Sequence, residues 1–144
     1  MSAVRDILVR KGPTLISVRP ADTVLRAATL MNDEGIGGVL VMEGDGLAGI
    51  FTERDVLRRV VAGGLDPART TVGEVLTSSV VTCEPQTSID ECAALMTARH
   101  IRHLPVREAG RLVGLVTMGD LLAFQVSEQQ TTIEQMNNYL FDLR

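Results

Sequence analysis

The sequence contains one pattern twice, and the second copy follows the first at a constant distance of 65 residues. When residues 14–57 are aligned with residues 79–122 without a gap, 12 of the 44 positions are identical. Many other pairs exchange similar residues, such as Ile16 with Val81. Since two copies of one pattern are expected to fold alike, this repeat decides the architecture. The identical pairs are Pro20/Pro85, Ala28/Ala93, Leu30/Leu95, Met31/Met96, Ile36/Ile101, Val41/Val106, Glu43/Glu108, Leu47/Leu112, Gly49/Gly114, Thr52/Thr117, Asp55/Asp120 and Leu57/Leu122.

Each copy predicts the element order β-α-β-β-α. A short β-branched strand precedes a helix whose apolar residues recur at i, i+3, i+4 and i+7, on one face. Two apolar runs joined by a glycine-containing turn then predict a hairpin. A second helix begins at Thr52 and at Thr117. We therefore expect an α+β chain with a first motif in residues 1–62, a linker in 63–71, a second motif in 72–126 and a helical tail in 127–144.

Composition excludes several classes of function. The net charge of -4 argues against nucleic acid as a partner, because backbone binding needs a basic face. No apolar run approaches the length of a bilayer span, and the first residues lack an apolar leader segment, so we expect a cytoplasmic protein without a membrane role. Cys83 and Cys92 have neither CxxC spacing nor neighbouring His ligands, which favours two small buried hydrophobes over a metal site.

The tail from Ser127 to Arg144 is rich in Gln and Asn, but it places Ile133, Met136 and Leu140 at helical spacing. We expect a helix that covers either an apolar edge of its own chain or a partner subunit. The first alternative is favoured.

Three segments carry a resemblance to a known family: Ile-Arg-His-Leu-Pro-Val at 101–106, Gly-Leu-Val-Thr-Met-Gly-Asp at 114–120, and Gly-Ile-Phe-Thr-Glu-Arg-Asp at 49–55. With the duplication, they make the chain resemble a tandem pair of CBS domains, the motif named after cystathionine β-synthase. The resemblance implies two β-α-β-β-α motifs related by a pseudo-twofold axis, with two clefts between them. It also implies adenine-nucleotide binding, a homodimer, and regulation of a partner protein that the sequence does not identify.

The repeated Thr-x-x-Asp steps, Thr52 with Asp55 and Thr117 with Asp120, have two interpretations. A carboxylate can accept hydrogen bonds from both ribose hydroxyls, and the Thr lies at a helix N-terminus, which favours an anion such as phosphate. The same spacing is also a capping box that only satisfies free backbone N–H groups. With the resemblance, we expect ligand binding.

Phosphates need a cation, and the second copy offers Arg102 and His103 just before its hairpin. Arg54 is either a further phosphate helper or a plain solvated arginine, and the second interpretation is favoured. The first copy has Gly37 and Gly38 at the equivalent positions. By family resemblance, the basic pair should face the cleft of Thr52 and Asp55. The cleft of Thr117 and Asp120 should then lack positive charge and bind phosphates more weakly. His100 is expected to end a helix.

The resemblance also places the adenine in an apolar slot, for which the candidates are Ile16, Val18, Val39, Val81, Cys83 and Leu104; each of them is also a plausible core residue. The expected ligands are AMP, ADP, ATP or NAD, with S-adenosylmethionine less favoured and no metal required. We expect a regulatory sensor and not an enzyme, because no nucleophile–base pair or glycine-rich phosphate loop is recognisable. The alternative is a structural or protein-interaction dimer with vestigial clefts.

Overall fold

The computed structural model describes residues 2–142. Met1 of the expected first motif and residues 143–144 of the expected tail lie outside the described residues. The elements are α1 (Val4–Lys11), β1 (Ser17–Val18), α2 (Val24–Glu34), β2 (Gly38–Glu43), β3 (Gly46–Thr52), α3 (Glu53–Asp55), α4 (Val72–Val75), α5 (Ile89–Arg99), β4 (His103–Glu108), β5 (Arg111–Thr117) and α6 (Met118–Asp142). Directly after α3, the chain continues as a wider π-helix, Val56–Val61.

Two small sheets form the centre of the molecule. In the first copy, β1 pairs in parallel with β2, and β2 pairs antiparallel with β3. In the second copy, β4 and β5 form the equivalent hairpin. The register places Gly38 opposite Thr52 and His103 opposite Thr117. Each Thr of the repeated step therefore ends a strand beside a residue that differs between the copies.

The expected first strand of the second copy, residues 80–83, is reduced to a single bridge between Cys83 and Val106. Its counterpart in the first copy is held by the Leu40 N–H, which donates to the Ile16 carbonyl at 3.4 Å. The residue equivalent to Leu40 is Pro105, which has no N–H to donate. Proline therefore explains why this strand is shorter than its counterpart.

The long helix of each copy begins at the small polar residue that the sequence predicts. The Thr23 hydroxyl accepts a hydrogen bond from the Arg26 N–H at 3.1 Å, and the Ser88 hydroxyl accepts from the Glu91 N–H at 3.1 Å. The linker adds to the first of these caps, since Val24 and Leu25 donate their N–H groups to carbonyls at Thr70 and Pro67.

Each of the two cores contains the short helix that precedes the other copy in the sequence. The core of the first copy includes Val72 and Val75 of α4. The core of the second copy includes Val4 and Ile7 of α1, which also packs on β5. The approach is close, because a Cβ on Gly114 of β5 would lie 2.5 Å from Leu8 Cδ2. The two copies thus exchange their short N-terminal helices.

The helix α6 joins the second core through its first turns only. Leu121 and Phe124 are buried, whereas every residue from 128 to 140 is exposed. The favoured expectation, that the tail covers an apolar edge of its own chain, is therefore wrong for these residues. The apolar residues of the sequence pattern face solvent.

Candidate ligand-binding clefts

Asp55 is buried and already bonded within the chain. It stands three residues after Thr52, so that the Thr52 N–H donates to its Oδ2 at 3.0 Å. The Thr77 hydroxyl donates to Oδ1 at 3.0 Å, and Arg59 Nε lies 3.6 Å from the same oxygen. With 6% of its surface exposed, Asp55 is held in place by a capping box and by the Thr77 side chain of the second motif.

Asp120 makes the equivalent bond with Thr117 but has a different second partner. The Thr117 N–H donates to Asp120 Oδ2 at 2.9 Å, and Lys11 Nζ lies 2.8 Å from the same oxygen. The contacts of Asp120 with other described residues fall on Oδ2, and its side chain is 23% exposed. Asp120 is thus more accessible than Asp55, and its cation Lys11 lies closer, at 2.8 Å, than Arg59 lies to Asp55, at 3.6 Å.

The first cleft, which we call the Thr52 cleft, has a volume of about 380 Å³. It brings Thr52 and Asp55 together with Arg102 and His103, which come from the start of the second hairpin. The complete lining is Gly37, Ile50, Thr52, Glu53, Arg54, Asp55, Leu57, Arg58, Thr77, Ile101, Arg102 and His103. The cleft therefore lies between the two copies and has cationic side chains from both.

Arg54 lies in this lining, but its guanidinium has a partner in the other copy. Arg54 Nη1 donates to the His100 carbonyl at 2.6 Å. His100 ends α5 in the left-handed conformation, with φ 54°, which confirms it as the helix C-cap. Arg54 thus ties the start of α3 to the end of α5.

The second cleft, which we call the Thr117 cleft, also has a volume of about 380 Å³. Its lining includes Thr117, the facing glycines Gly37 and Gly38, and Ile16. Lys11, Arg102 and His103 line it as well. The expectation that this cleft lacks positive charge is therefore wrong. The lysine comes from α1, outside the aligned repeat, and the basic pair stands between the two clefts and lines both.

Asp120 does not line the Thr117 cleft. It lines an adjoining cavity of about 180 Å³ together with Arg10, Lys11 and Phe124. Lys11 belongs to both linings, and its ammonium group donates to Asp120 Oδ2 at 2.8 Å. A ligand in the Thr117 cleft that bonds to Asp120 Oδ2 would compete with Lys11 for that oxygen.

His103 occupies the space that the small residue Gly38 leaves open. A Cβ on Gly38 would lie 3.0 Å from His103 Nε2 and 3.1 Å from Thr52 Cγ2. Burial lowers the pKa of His103, and the charges of Lys11 and Arg102 lower it further, against the opposing effect of Glu53 and Asp120. The Gly/His difference between the copies is therefore complementary packing about the pseudo-twofold axis.

The six residues expected in the adenine slot belong mostly to the two cores. Val39 and Leu104 are fully buried, and Val18 and Cys83 are nearly so. Val81 packs against the second core, and Ile16 packs against the first core and also lines the Thr117 cleft. Ile16 is thus the candidate with direct access to a described cleft.

Sequence reasoning missed Lys11 and Thr77. Thr77 donates its N–H to the Ile50 carbonyl and its hydroxyl to Asp55, while Lys11 Nζ donates to the Leu115 carbonyl and to Asp120. The two side chains thus make equivalent bridges in the two copies. Both lie outside the ungapped alignment, in the short helix α1 and just after α4, and no motif marked them.

The two cysteines behave as the sequence predicts. Both are free and buried, and the hydrogen bond with Cys92 together with burial raises the pKa of the Cys83 thiol. Within residues 2–142, no three His, Cys, Asp or Glu side chains are grouped in a way that could hold a metal ion. Over the same part of the chain, no helix has both the length and the apolar character needed to cross a bilayer.

These features, a duplicated motif with two clefts at the interface between its copies, define a tandem-domain module with paired clefts. The CBS domain family model matches the chain twice, at residues 4–62 and 72–127, and the chain belongs to this family. It is 36% identical over 129 residues to the CBS domain-containing protein YhcV of Bacillus subtilis, a match that covers 90% of this chain and 89% of that protein. The expected α+β architecture of two CBS motifs is confirmed.

Solved structures agree with this assignment. A protein with CBS domains from Burkholderia ambifaria superimposes with a TM-score of 0.85 at 43% identity, covering 89% of this chain and 96% of that one. The CBS domain pair of protein MJ0100, in complex with 5′-methylthioadenosine and S-adenosyl-L-methionine, superimposes with a TM-score of 0.74 at 26% identity. That match covers 85% of this chain and 98% of that one.

Proposed function

We propose that this protein is a regulatory sensor, and not an enzyme, that binds an adenine nucleotide of the AMP, ADP, ATP or NAD type in its clefts. The observation that carries the proposal is the meeting of both clefts at Arg102 and His103, with a Thr at a helix start in the lining of each. Each cleft therefore offers a hydroxyl and cationic side chains to an anionic ligand.

In the Thr52 cleft, Thr52, Arg102 and His103 hold the phosphates, with Arg54 at the edge. Asp55 accepts hydrogen bonds from the ribose, and for this it must share its oxygens with Thr52 and Thr77, which already donate to them. In the Thr117 cleft, Lys11 adds a further cation beside Thr117. Ribose binding by Asp120 is coupled to movement of Lys11.

The class of ligand is supported by the MJ0100 structure, whose CBS pair holds two adenosine derivatives. Those derivatives do not carry phosphates, whereas the clefts of the present chain are rich in cationic side chains. We therefore favour nucleotides with phosphate groups over S-adenosylmethionine. No metal ion is required, because the cationic side chains supply the charge that phosphates need.

Regulation requires that the ligand bind two states of the protein with different affinity. Both clefts lie between the two copies, so a nucleotide that draws Arg102 and His103 towards one helix start changes how the copies pack. We propose that a homodimer in the cytoplasm transmits this change to a partner protein. Assembly of related modules is illustrated by the hexameric CBS-CP12 protein, which superimposes with a TM-score of 0.73 at 28% identity.

A second candidate function is a structural or interaction dimer whose clefts are vestigial. The bonding of Asp55 favours it, because a carboxylate that is 6% exposed and bonded to Thr52 and Thr77 already serves the fold. In that case the Thr-x-x-Asp steps act as helix caps alone. The two candidates differ in whether any adenine nucleotide binds.

Calorimetry and thermal melts with AMP, ADP, ATP, NAD and S-adenosylmethionine decide between them. A ligand present at a hundred times its dissociation constant stabilises the native state by about 2.7 kcal/mol, which raises the midpoint of a chain of this size by several degrees. Binding heat and a raised midpoint with at least one nucleotide support the sensor. The absence of both with all five ligands would exclude it and leave the structural role.

A further inference from the structure

The exposed part of α6 carries a narrow apolar stripe with the spacing of a coiled coil. Counting from Leu122, the steps along the stripe alternate between four and three residues. The stripe consists of Leu122, Val126, Gln129, Ile133, Met136 and Leu140. This period of 3.5 residues describes the a and d positions of a heptad, with Val126, Ile133 and Leu140 at a and Leu122, Gln129 and Met136 at d. We call these six residues the seam.

Among residues 2–142, nothing covers the seam within its own chain. Ile133 is 56% exposed, and Met136 and Leu140 are each 60% exposed. Most of the stability of a helix in a protein comes from the packing of an apolar face. Most of the seam also lies beyond residue 127, where the match to the CBS domain ends. The segment therefore has a role that the paired motifs do not require.

The residues beside the seam favour a second copy as the partner. The flanking e and g positions in this stretch are occupied by Ala123, Gln125, Gln130, Thr132, Asn137 and Tyr139. None of them is charged, so two identical helices meet no repulsion across the seam. The acidic residues Glu128 and Glu134 fall at c and b, on the outer face.

The seam residues also indicate the number and direction of the helices. β-Branched residues at a, here Val126 and Ile133, favour two parallel strands. In a parallel dimer in register, Gln129 meets Gln129 of the second copy, so that polar side chains pair. Antiparallel pairing with the seam centred would place Gln129 against Ile133. We propose that residues 122–140 form a parallel, two-stranded coiled coil with the same segment of a second copy.

Disulfide cross-linking of the full chain tests the seam directly, whether or not the globular parts also associate. Met136→Cys places a thiol at a d position, where the equivalent residues of a parallel pair face each other. Asn138→Cys is the matched control on the outer face. We expect oxidised glutathione to link Met136→Cys into a dimer at least about tenfold faster than the control. Equal rates, or no link through position 136, would overturn the parallel pairing.

Sedimentation equilibrium tests the energetic role of the seam. Ile133→Glu with Met136→Glu adds two charges to the seam, and Gln135→Glu with Asn138→Glu adds the same two charges outside it. We expect the seam variant to raise the dissociation constant of the dimer by about tenfold or more, with the control near the parent value. Thermal melts verify that both variants keep the globular fold. Identical behaviour of the two variants, or a parent chain that remains monomeric, would contradict the proposal.

Discussion

Lys11 Nζ lies 2.8 Å from Asp120 Oδ2 and donates to the Leu115 carbonyl at the same distance. At the equivalent place in the first copy, Thr77 donates its hydroxyl to Asp55 and its N–H to the Ile50 carbonyl. One copy therefore makes this bridge with a cation and the other with a neutral residue. This exchange of a lysine for a threonine is an electrostatic difference between the two copies. It adds to the exchanges of Gly37 for Arg102 and of Gly38 for His103.

Replacing Lys11 should have opposite effects on two ligands of the Thr117 cleft. In Lys11→Met, ATP loses a cationic contact, while uncharged adenosine gains access to the Asp120 carboxylate without displacing an ammonium group. We expect ATP affinity at this cleft to fall about tenfold and adenosine affinity to rise, as measured by calorimetry. Arg5→Met, an exposed cation of α1, is the control. Equal losses for both ligands would show that Lys11 does not shield Asp120.

The two aspartates should differ in how much the fold depends on them. Asp55→Ala leaves the Thr52 N–H and the Thr77 hydroxyl without their buried acceptor, which costs about 2 kcal/mol of unfolding free energy. Asp120→Ala removes a partly exposed pair and costs about 1 kcal/mol or less. Both variants should lose nucleotide affinity. Urea denaturation measures the free energy of unfolding of both variants. Similar losses of this free energy would contradict the prediction, which rests on the difference in burial.

His103 should make stability depend on pH below neutrality. Burial lowers its pKa in the folded protein, whereas in the unfolded chain it binds a proton near its ordinary value of about 6.5. The unfolded state therefore holds more protons in the window just below that value, and stability falls as the pH drops through it. Urea denaturation over this range should show a shallower pH dependence for His103→Gln than for the parent.

The same histidine should couple nucleotide binding to proton uptake. A phosphate beside the His103 ring favours its charged form, so affinity should rise as the pH falls through the same window. Calorimetry in two buffers of different ionisation enthalpy measures the protons taken up. His100→Gln, a change at the helix cap, should behave like the parent, and unchanged proton uptake in His103→Gln would exclude the coupling.

Gly38→Ala should disturb the contact between the copies. The added Cβ would lie 3.0 Å from His103 Nε2, so the ring must shift, and we expect a loss of about 1–3 kcal/mol. Gly46→Ala, whose added Cβ meets its nearest neighbour at 3.4 Å, should be close to neutral in a thermal melt. If the clash is the cause, His103→Ala should recover much of the loss in the double variant.

The repeat predicted the fold because apolar periodicity and helix caps are local properties of the sequence. It did not predict the loss of the strand at residues 80–83, which follows from Pro105 in the neighbouring strand. The positions of Thr52, Asp55, Arg102 and His103 around one cleft follow the pseudo-symmetry that the resemblance implied. Lys11 and Thr77 were missed because their partners are distant in sequence, and the repeat does not align them.

The exchange of α1 and α4 has a consequence for how the protein could be divided. A cut in the linker would give an N-terminal fragment that carries α1 but lacks α4, and a C-terminal fragment with the reverse deficit. Each fragment would lack one helix of its hydrophobic core, and that helix would be part of the other fragment. The duplicated unit of sequence is therefore not a unit of autonomous folding, and the halves should act as complementing fragments that assemble only together.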